Sequence, residues 1–360
     1  MSRALQLANF LNDSGYDAFL AQTSISMGYL SGFFEDGHER FLTLAIHKSG
    51  QVRLICPALS QIQAKRIGIE DIRAWRDGED PIEHFLDLAE DWNLRSGVIA
   101  VDDHMPAKML LEMQTALPAA LFKPGGLVIA ELMSRKDESE LALMKRAGQI
   151  ADETYEVVKK GLKEGITELE VREMIESEMK NWGGEPQFCS VCFGEGSAES
   201  HHINNTTRLK PNTIVLIDFG CSYEQYCSDI TRTFVFGKAT EEQKKLYTIV
   251  WEAHEAARLL GKVGVRPMDM DGAARKVIED AGYGEFFTHR TGHGIGMQVH
   301  EEPNINSTND KPLEYGNCFS IEPGIYLEGN CGIRLENLYY AGNDGLVSFN
   351  QPISPVLLEV

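Results

Sequence analysis

The stretch "NTIVLIDFGCSYEQYCSDITRTF", residues 212–234, sets two apolar runs around a polar turn and places one carboxylate in each. "NTIVLID" is apolar enough to be buried on both faces, so an unpaired Asp218 at its end would cost several kcal/mol or give up its charge. It needs a cation. A turn centred between Tyr223 and Glu224 would set Asp218 and Asp229 opposite each other, with both side chains on one face of a hairpin.

The device recurs in "FSIEPGIYLEGNCGIRLENLYY", residues 319–340, where a turn centred on Gly329 sets Glu322 opposite Glu336. One acid at a strand end is ordinarily a turn or solvent-facing residue. Two hairpins that each carry a facing pair are a different matter, because four converging negative charges repel unless something strongly positive lies between them.

The fifth piece is "HRTGHGIGMQVHEEP", residues 289–303, in which His293 lies between glycines that let the backbone approach a site closely. One imidazole with four carboxylates suits two hard or borderline divalent ions, Mn²⁺ or Co²⁺ first and Zn²⁺ or Fe²⁺ next. Shared carboxylates could bridge two ions about 3.5 Å apart, the spacing of two-metal hydrolases. His289 and His293 have zincin spacing, but no Glu follows the first and the glycines oppose a helix. "GHGIG" lacks the full glycine fingerprint of a nucleotide loop.

Composition narrows the classes further. The 34 Lys and Arg against 54 Asp and Glu leave a net charge of −20, which opposes binding to nucleic acid or to anionic membrane surfaces. No run approaches the ~20 apolar residues of a membrane span, and the first twenty residues lack the apolar core of a signal peptide. Seven scattered cysteines without CxxC pairs read as reduced thiols, so a cytoplasmic location is expected.

The 360 residues exceed what one core usually organises. Residues 1–130 alternate helical and strand patterns, including a hairpin in "FLTLAIHKSGQVRLICP", a helix in "DPIEHFLDLAEDW" and a strand in "SGVIAVDD". "KPGGL" and "SRKDESE" bracket a border, and residues 131–360 form a second domain. That domain opens with a long amphipathic helix from "ESELALM", then a second helix announced by Thr167 and Glu170 in capping-box spacing. Further helices are expected at 241–260 and 267–281, among strands. The class is therefore α+β, with an α/β N-terminal domain.

Taken in order, "LIDFGCSYEQYCSDITRTF", "HRTGHGIGMQVHEEP", "SIEPGIY" and "GIRLEN" resemble the metal-site motifs of the pita-bread metallopeptidases, in the Xaa-Pro branch of aminopeptidase P and prolidase. "GYLSGF" at 28–33 is similar to the creatinase-type N-terminal domain of that branch, so the resemblance covers nearly the whole chain. It implies Asp218, Asp229, His293, Glu322 and Glu336 as ligands of two divalent ions, with Asp229 and Glu336 bridging. It implies Glu322 as the group that takes a proton from the attacking water, and His300 as the histidine that stabilises the tetrahedral intermediate. His201 matches the second active-site histidine, with neighbouring His202 as the alternative. His289 lines the proline side, Tyr326 joins the substrate side or the core, and Arg334 orients ligand carboxylates.

The implied activity is hydrolysis of Xaa-Pro bonds, at the N-terminus of peptides or in dipeptides, by a homodimer. Asn304 stands where some prolidases carry an arginine associated with dipeptide recognition, which leaves dipeptidase and aminopeptidase both open. Asn337 stands where many relatives continue with a second acid. The alternatives are a pita-bread hydrolase of a small non-peptide amide, of the ectoine-hydrolase or creatinase kind, and a binding domain without activity. Creatinase-like enzymes lose the ligands, and idle domains lose ligands or the active-site histidines; this sequence has both sets.

Overall fold

The computed structural model describes residues 2–360, which form two compact units, one ending at Met133 and the other running from Ser134 to Val360. The division falls a little beyond the 130/131 border read from the sequence. The reason is the helix Gly126–Met133, which begins at the second glycine of "KPGG" and packs on the first helix, Arg3–Ser14.

The first unit is a six-stranded mixed sheet with helices. Its spatial order is Ile72–Trp75, Val52–Pro57, Thr43–His47, Ala18–Ala21, Val98–Val101, Leu121–Pro124. The expected hairpin is the antiparallel pair Thr43–His47 and Val52–Pro57, and the expected helix is Pro81–Asp91, capped by the Asp80 side chain. Phe19 and Leu20 of the central strand and Phe85 and Leu88 of the helix Pro81–Asp91 are fully buried.

In the second unit the helix Glu138–Gly161 starts at a capping box in which the Asp137 and Glu140 side chains reciprocate. Thr167 and Glu170 form the expected box on the helix Glu168–Asn181. These helices back a sheet of Glu185–Phe193, Thr213–Tyr223 and Ile230–Phe236, through a core that includes Ile150, Ile175, Ile217 and Phe234. Helices Glu241–Leu260 and Pro267–Asp280 pack on the remaining strands through Val250, Ala274, Phe319 and Ile333. Those strands make a five-stranded sheet, ordered Glu301–Ile305, Gly292–Gly294, Cys318–Ile321, Asn337–Ala341 and Leu346–Ser348, and a separate ladder, Gly324–Leu327 with Cys331–Arg334.

The two acid-bearing hairpins compare differently with their expected registers. In the second, Ile321 pairs with Asn337 and Gly324 with Arg334, so the register stays centred on Gly329 and sets Glu322 against Glu336 in the gap between two ladders. In the first, Tyr223 pairs with Tyr226 and Asp218 with Thr231, so the turn is Glu224–Gln225 and Asp218 does not face Asp229 directly. Both turn residues have positive φ, 47° and 72°, as a tight two-residue hairpin turn requires. The partner of Asp218 is displaced by two residues, which preserves the face, because side chains alternate with period two.

All seven cysteines are unpaired, and no helix among the described residues is long and apolar enough to cross a membrane.

Candidate active site

Asp218 sits within the Thr213–Tyr223 strand, whereas Asp229 lies in the break between Tyr226–Cys227 and Ile230–Phe236. Glu322 and Glu336 occupy the break between the two ladders, where Glu322 N donates to Thr291 O at 2.7 Å and Glu336 N to Thr231 O at 3.1 Å. The short strand Gly292–Gly294 brings His293 alongside. A Cβ on Gly292 would lie 1.9 Å from Ser320 O, so only glycine allows this approach.

One ligand atom each from Asp229, His293 and Glu336 fall within 4.8 Å of one another. His293 Nε2 is 3.4 Å from Glu322 Oε1 and 3.5 Å from Asp229 Oδ2. Its Nδ1 faces the Gly294 carbonyl at 3.0 Å, so Nδ1–H is the donor and the Nε2 lone pair points into the cluster. The site is graded in depth: Glu336 is 1% exposed as a residue and the Asp229 side chain 6%, whereas the side chains of Glu322 and Asp218 expose 16% and 21%.

The electrostatics show what the cluster needs. Burial pushes the Asp229 carboxyl well above its usual range, and Asp218 and Glu322 push it further. Glu336 is raised in the same way by burial, then by Asp229, Glu322 and Asp218. Asp218 Oδ1, Asp229 Oδ1 and Glu336 Oε1 are buried and have no hydrogen-bond partner among the described residues. Orphaned carboxylate oxygens around one imidazole nitrogen are the donor set that divalent cations satisfy, so the residues present fit metal ions.

A chain of hydrogen bonds supports the acids from behind. The buried Arg334 guanidinium donates to Asp218 Oδ2 at 2.6 Å, to the Tyr326 hydroxyl at 2.9 Å and, through Nε, to Thr231 Oγ1 at 3.1 Å. His289 Nδ1 faces the Arg290 carbonyl at 2.7 Å, which leaves Nε2 to accept from the Tyr326 hydroxyl at 2.8 Å. Burial pushes the His289 imidazolium down, in keeping with a neutral ring. Of the three residues assigned to substrate, Arg334 thus reaches Asp218 directly, and both ring nitrogens of His289 are spent within the protein.

His300 stacks edge-on against His293, ring centroids 4.3 Å apart at 87°. Burial, His293 and Arg290 lower its pKa, in that order. His201 is exposed, and among the described residues no hydrogen bond or ion pair joins it to the cluster. The neighbouring His202 is the ring that is held, with Nε2 2.8 Å from Glu168 Oε2 and Nδ1 3.0 Å from Glu199 Oε2.

Two residues of "ITRTF" escaped the sequence reading. The Thr231 hydroxyl donates to Glu336 Oε2 at 2.7 Å, and buried Arg232 donates to the Glu336 carbonyl at 2.5 Å and to Asn337 Oδ1 at 2.8 Å. The signal was present, since a buried strand that alternates hydroxyl and cation must be pairing with something.

Known proteins agree with this architecture. Residues 142–343 match Metallopeptidase family M24, and residues 3–132 match the Creatinase/Prolidase N-terminal domain. A putative dipeptidase, YkvY, of Bacillus subtilis is 35% identical over 98% of this chain and 98% of its own length. An Xaa-Pro dipeptidase of Lactobacillus delbrueckii subsp. lactis is 34% identical over 96% and 95%. Among solved structures, a prolidase from Thermococcus sibiricus superposes with a TM-score of 0.94 at 32% identity, covering 98% of this chain and 97% of that one. An X-Pro aminopeptidase from Thermotoga maritima gives 0.83 at 31%, over 96% and 98%. With every candidate ligand inside the matched segment and relatives aligned over nearly their whole length, the chain belongs to metallopeptidase family M24, with a pita-bread catalytic domain behind a creatinase-type N-terminal domain.

Proposed function

We propose that the chain hydrolyses Xaa-Pro bonds, in Xaa-Pro dipeptides or at the N-terminus of short peptides, with two divalent ions held by Asp218, Asp229, His293, Glu322 and Glu336. The observation that carries this reading is the pair of buried carboxylate oxygens without partners, on Asp229 and Glu336, whose side chains gather around the single imidazole of His293. Manganese or cobalt suits such an oxygen-rich set best, with zinc or iron next. Once bound, the ions supply Lewis acidity that polarises the scissile carbonyl and makes water a nucleophile near neutral pH.

The protein's own groups do the rest. Glu322, one of the two more exposed acids, is placed to take the proton of the attacking water and return it to the leaving nitrogen. The His300 ring beside His293 offers a donor to the carbonyl oxygen as negative charge develops. Arg334 fixes Asp218, and the His289–Tyr326 pair forms a neutral wall for the proline ring. His201, exposed on its loop, is left as a donor that a bound peptide engages. An Xaa-Pro bond lacks the N–H that ordinary extended-backbone recognition uses, which is the physical motive for a dedicated enzyme.

The names of relatives support proline-directed substrates, and they include dipeptidases as well as an aminopeptidase. The homodimer and the cytoplasmic location belong to the same proposal, the latter supported by seven unpaired thiols. The test is hydrolysis of Ala-Pro, Ala-Pro-Ala and Ala-Ala-Ala after chelation and re-addition of Mn²⁺, Co²⁺ or Zn²⁺. Cleavage at Ala-Pro in the tripeptide indicates an aminopeptidase, and cleavage of the dipeptide alone indicates a prolidase. Metal-loaded protein inactive on all three overturns the proline reading in favour of a small-amide hydrolase.

A further inference from the structure

We infer that a buried ion pair between Lys136 and Glu301 is the device that positions His300, so that turnover depends on a lysine remote in sequence from every metal-site motif. Lys136 Nζ lies 2.8 Å from Glu301 Oε2, with the two side chains only 2% and 6% exposed. The other oxygen, Glu301 Oε1, accepts from Gln298 N at 2.9 Å, so the carboxylate is held in one orientation from both sides. A Cβ on Gly296 would come within 2.6 Å of both Glu301 Oε2 and Lys136 Cε, so the loop closes tightly over the pair.

His300 is the residue immediately before Glu301, and its side chain makes no hydrogen bond among the described residues, its one ring contact there being the edge-on ring of His293. Its ring is therefore aimed by its backbone and by the edge contact with His293. That backbone has two anchors. Cys227 N donates to Gly296 O at 2.7 Å, which ties the loop to the strand leading into Asp229. Glu301 ties its other end to Lys136, itself fixed where its N–H donates to Gly316 O at 2.9 Å, one residue before the capping box of the long helix. The Tyr226 hydroxyl, donating to Glu140 Oε1 at 2.6 Å, joins that same helix turn to the residue before Cys227. The ion pair thus closes a loop of contacts linking His300 to the strand Tyr226–Cys227 that leads into Asp229.

A buried ion pair is not needed for stability, because an apolar pair of similar volume often serves as well. What an apolar pair lacks is direction, and direction is what His300 requires.

This inference rests on the proposed role of His300 as a donor to the developing oxyanion, and the test separates the two. The metal-loaded wild type, His300→Ala, Lys136→Met, Glu301→Gln and the double variant Lys136→Met/Glu301→Met are compared for kcat and KM on Ala-Pro, bound metal and thermal midpoint. Each single variant at the pair leaves one charge buried alone and should lower the midpoint. The double variant should recover the midpoint and full metal content, yet keep a kcat about 10–100-fold below wild type with KM nearly unchanged, as expected for a misplaced catalytic group. Recovery of kcat in the double variant, with His300→Ala impaired, overturns the positioning role alone. Loss of metal from the double variant overturns it as well. Wild-type kcat in His300→Ala overturns the parent assignment and the inference together.

Discussion

The two acid-bearing hairpins solve one problem in different ways. The 318–341 segment keeps a single register centred on Gly329 through two ladders and opens a gap between them, so that Glu322 and Glu336 fall where the strands are unpaired. The 213–236 hairpin instead keeps Asp218 in a paired position opposite Thr231 and breaks only its other strand, around Asp229. Each then holds the other's acid: Arg334 grips Asp218, while Thr231 grips Glu336 and the Thr233 hydroxyl donates to the Arg334 carbonyl at 2.8 Å. The interrupted ladder frees a carboxylate to turn toward an ion, and the neighbouring hairpin supplies the polar contact that the ladder no longer gives.

The largest expected effect comes from the most enclosed acids. Asp229→Asn or Glu336→Gln should lower kcat/KM about a hundredfold or more, beyond the range typical of residues that merely support a ligand. The sign on stability should be opposite in the metal-free protein. Removing one of several repelling buried charges should leave the thermal midpoint unchanged or higher, and added metal should raise the midpoint of wild type far more than that of the variant. Near-normal metal content and rate in either variant would overturn the bridging role that the family resemblance implies for these residues and leave the two hairpins with unequal shares of the site.

A smaller effect is expected where the hairpins cross-tie. Thr231→Val keeps the shape but deletes the donor to Glu336 and the acceptor for Arg334 Nε. Leaving buried partners unsatisfied should cost about 1–3 kcal/mol of stability. Metal affinity or rate should fall roughly tenfold, the low end for such a supporting contact. Isothermal titration of the apoprotein with Mn²⁺ checks this, and unchanged affinity would mean that each hairpin holds its own acids.

Much of this was legible in the residues. Lone acids on apolar runs pointed to Asp229 and Glu336, which the fold brings together with His293, and the capping box at Thr167 begins the second helix behind the sheet. The symmetric placement of Glu322 and Glu336 about Gly329 was readable because glycine marks the turn, with φ of 71°. The register of the other hairpin was not, because Glu224–Gln225 carries no asparagine or glycine to mark a turn that needs positive φ twice. The supporting roles of Thr231, Arg232 and Lys136 were hidden for another reason. Their partners lie about a hundred residues away or more, and no local pattern records which buried donor meets which buried acceptor.

That unmarked turn gives the smallest and cleanest test of how the hairpins differ. Gln225, at φ 72°, holds a left-handed conformation that costs a side chain with a Cβ, whereas Gly329, in the three-residue turn of the other hairpin, holds a φ of 71° without that cost. Gln225→Gly should relieve the strain, and the greater freedom of glycine in the unfolded chain offsets part of the gain. The net stabilisation should be below about 1 kcal/mol, a rise in thermal midpoint of roughly 1–3 °C for a domain of this size. Both turn residues are exposed, and neither makes a polar side-chain contact among the described residues, so kcat, KM and metal content should stay at wild-type values. A fall in midpoint would show that the strained turn is held by its surroundings. A fall in metal content with the midpoint unchanged would show that the turn, like the break at Asp229, sets the position of the acids.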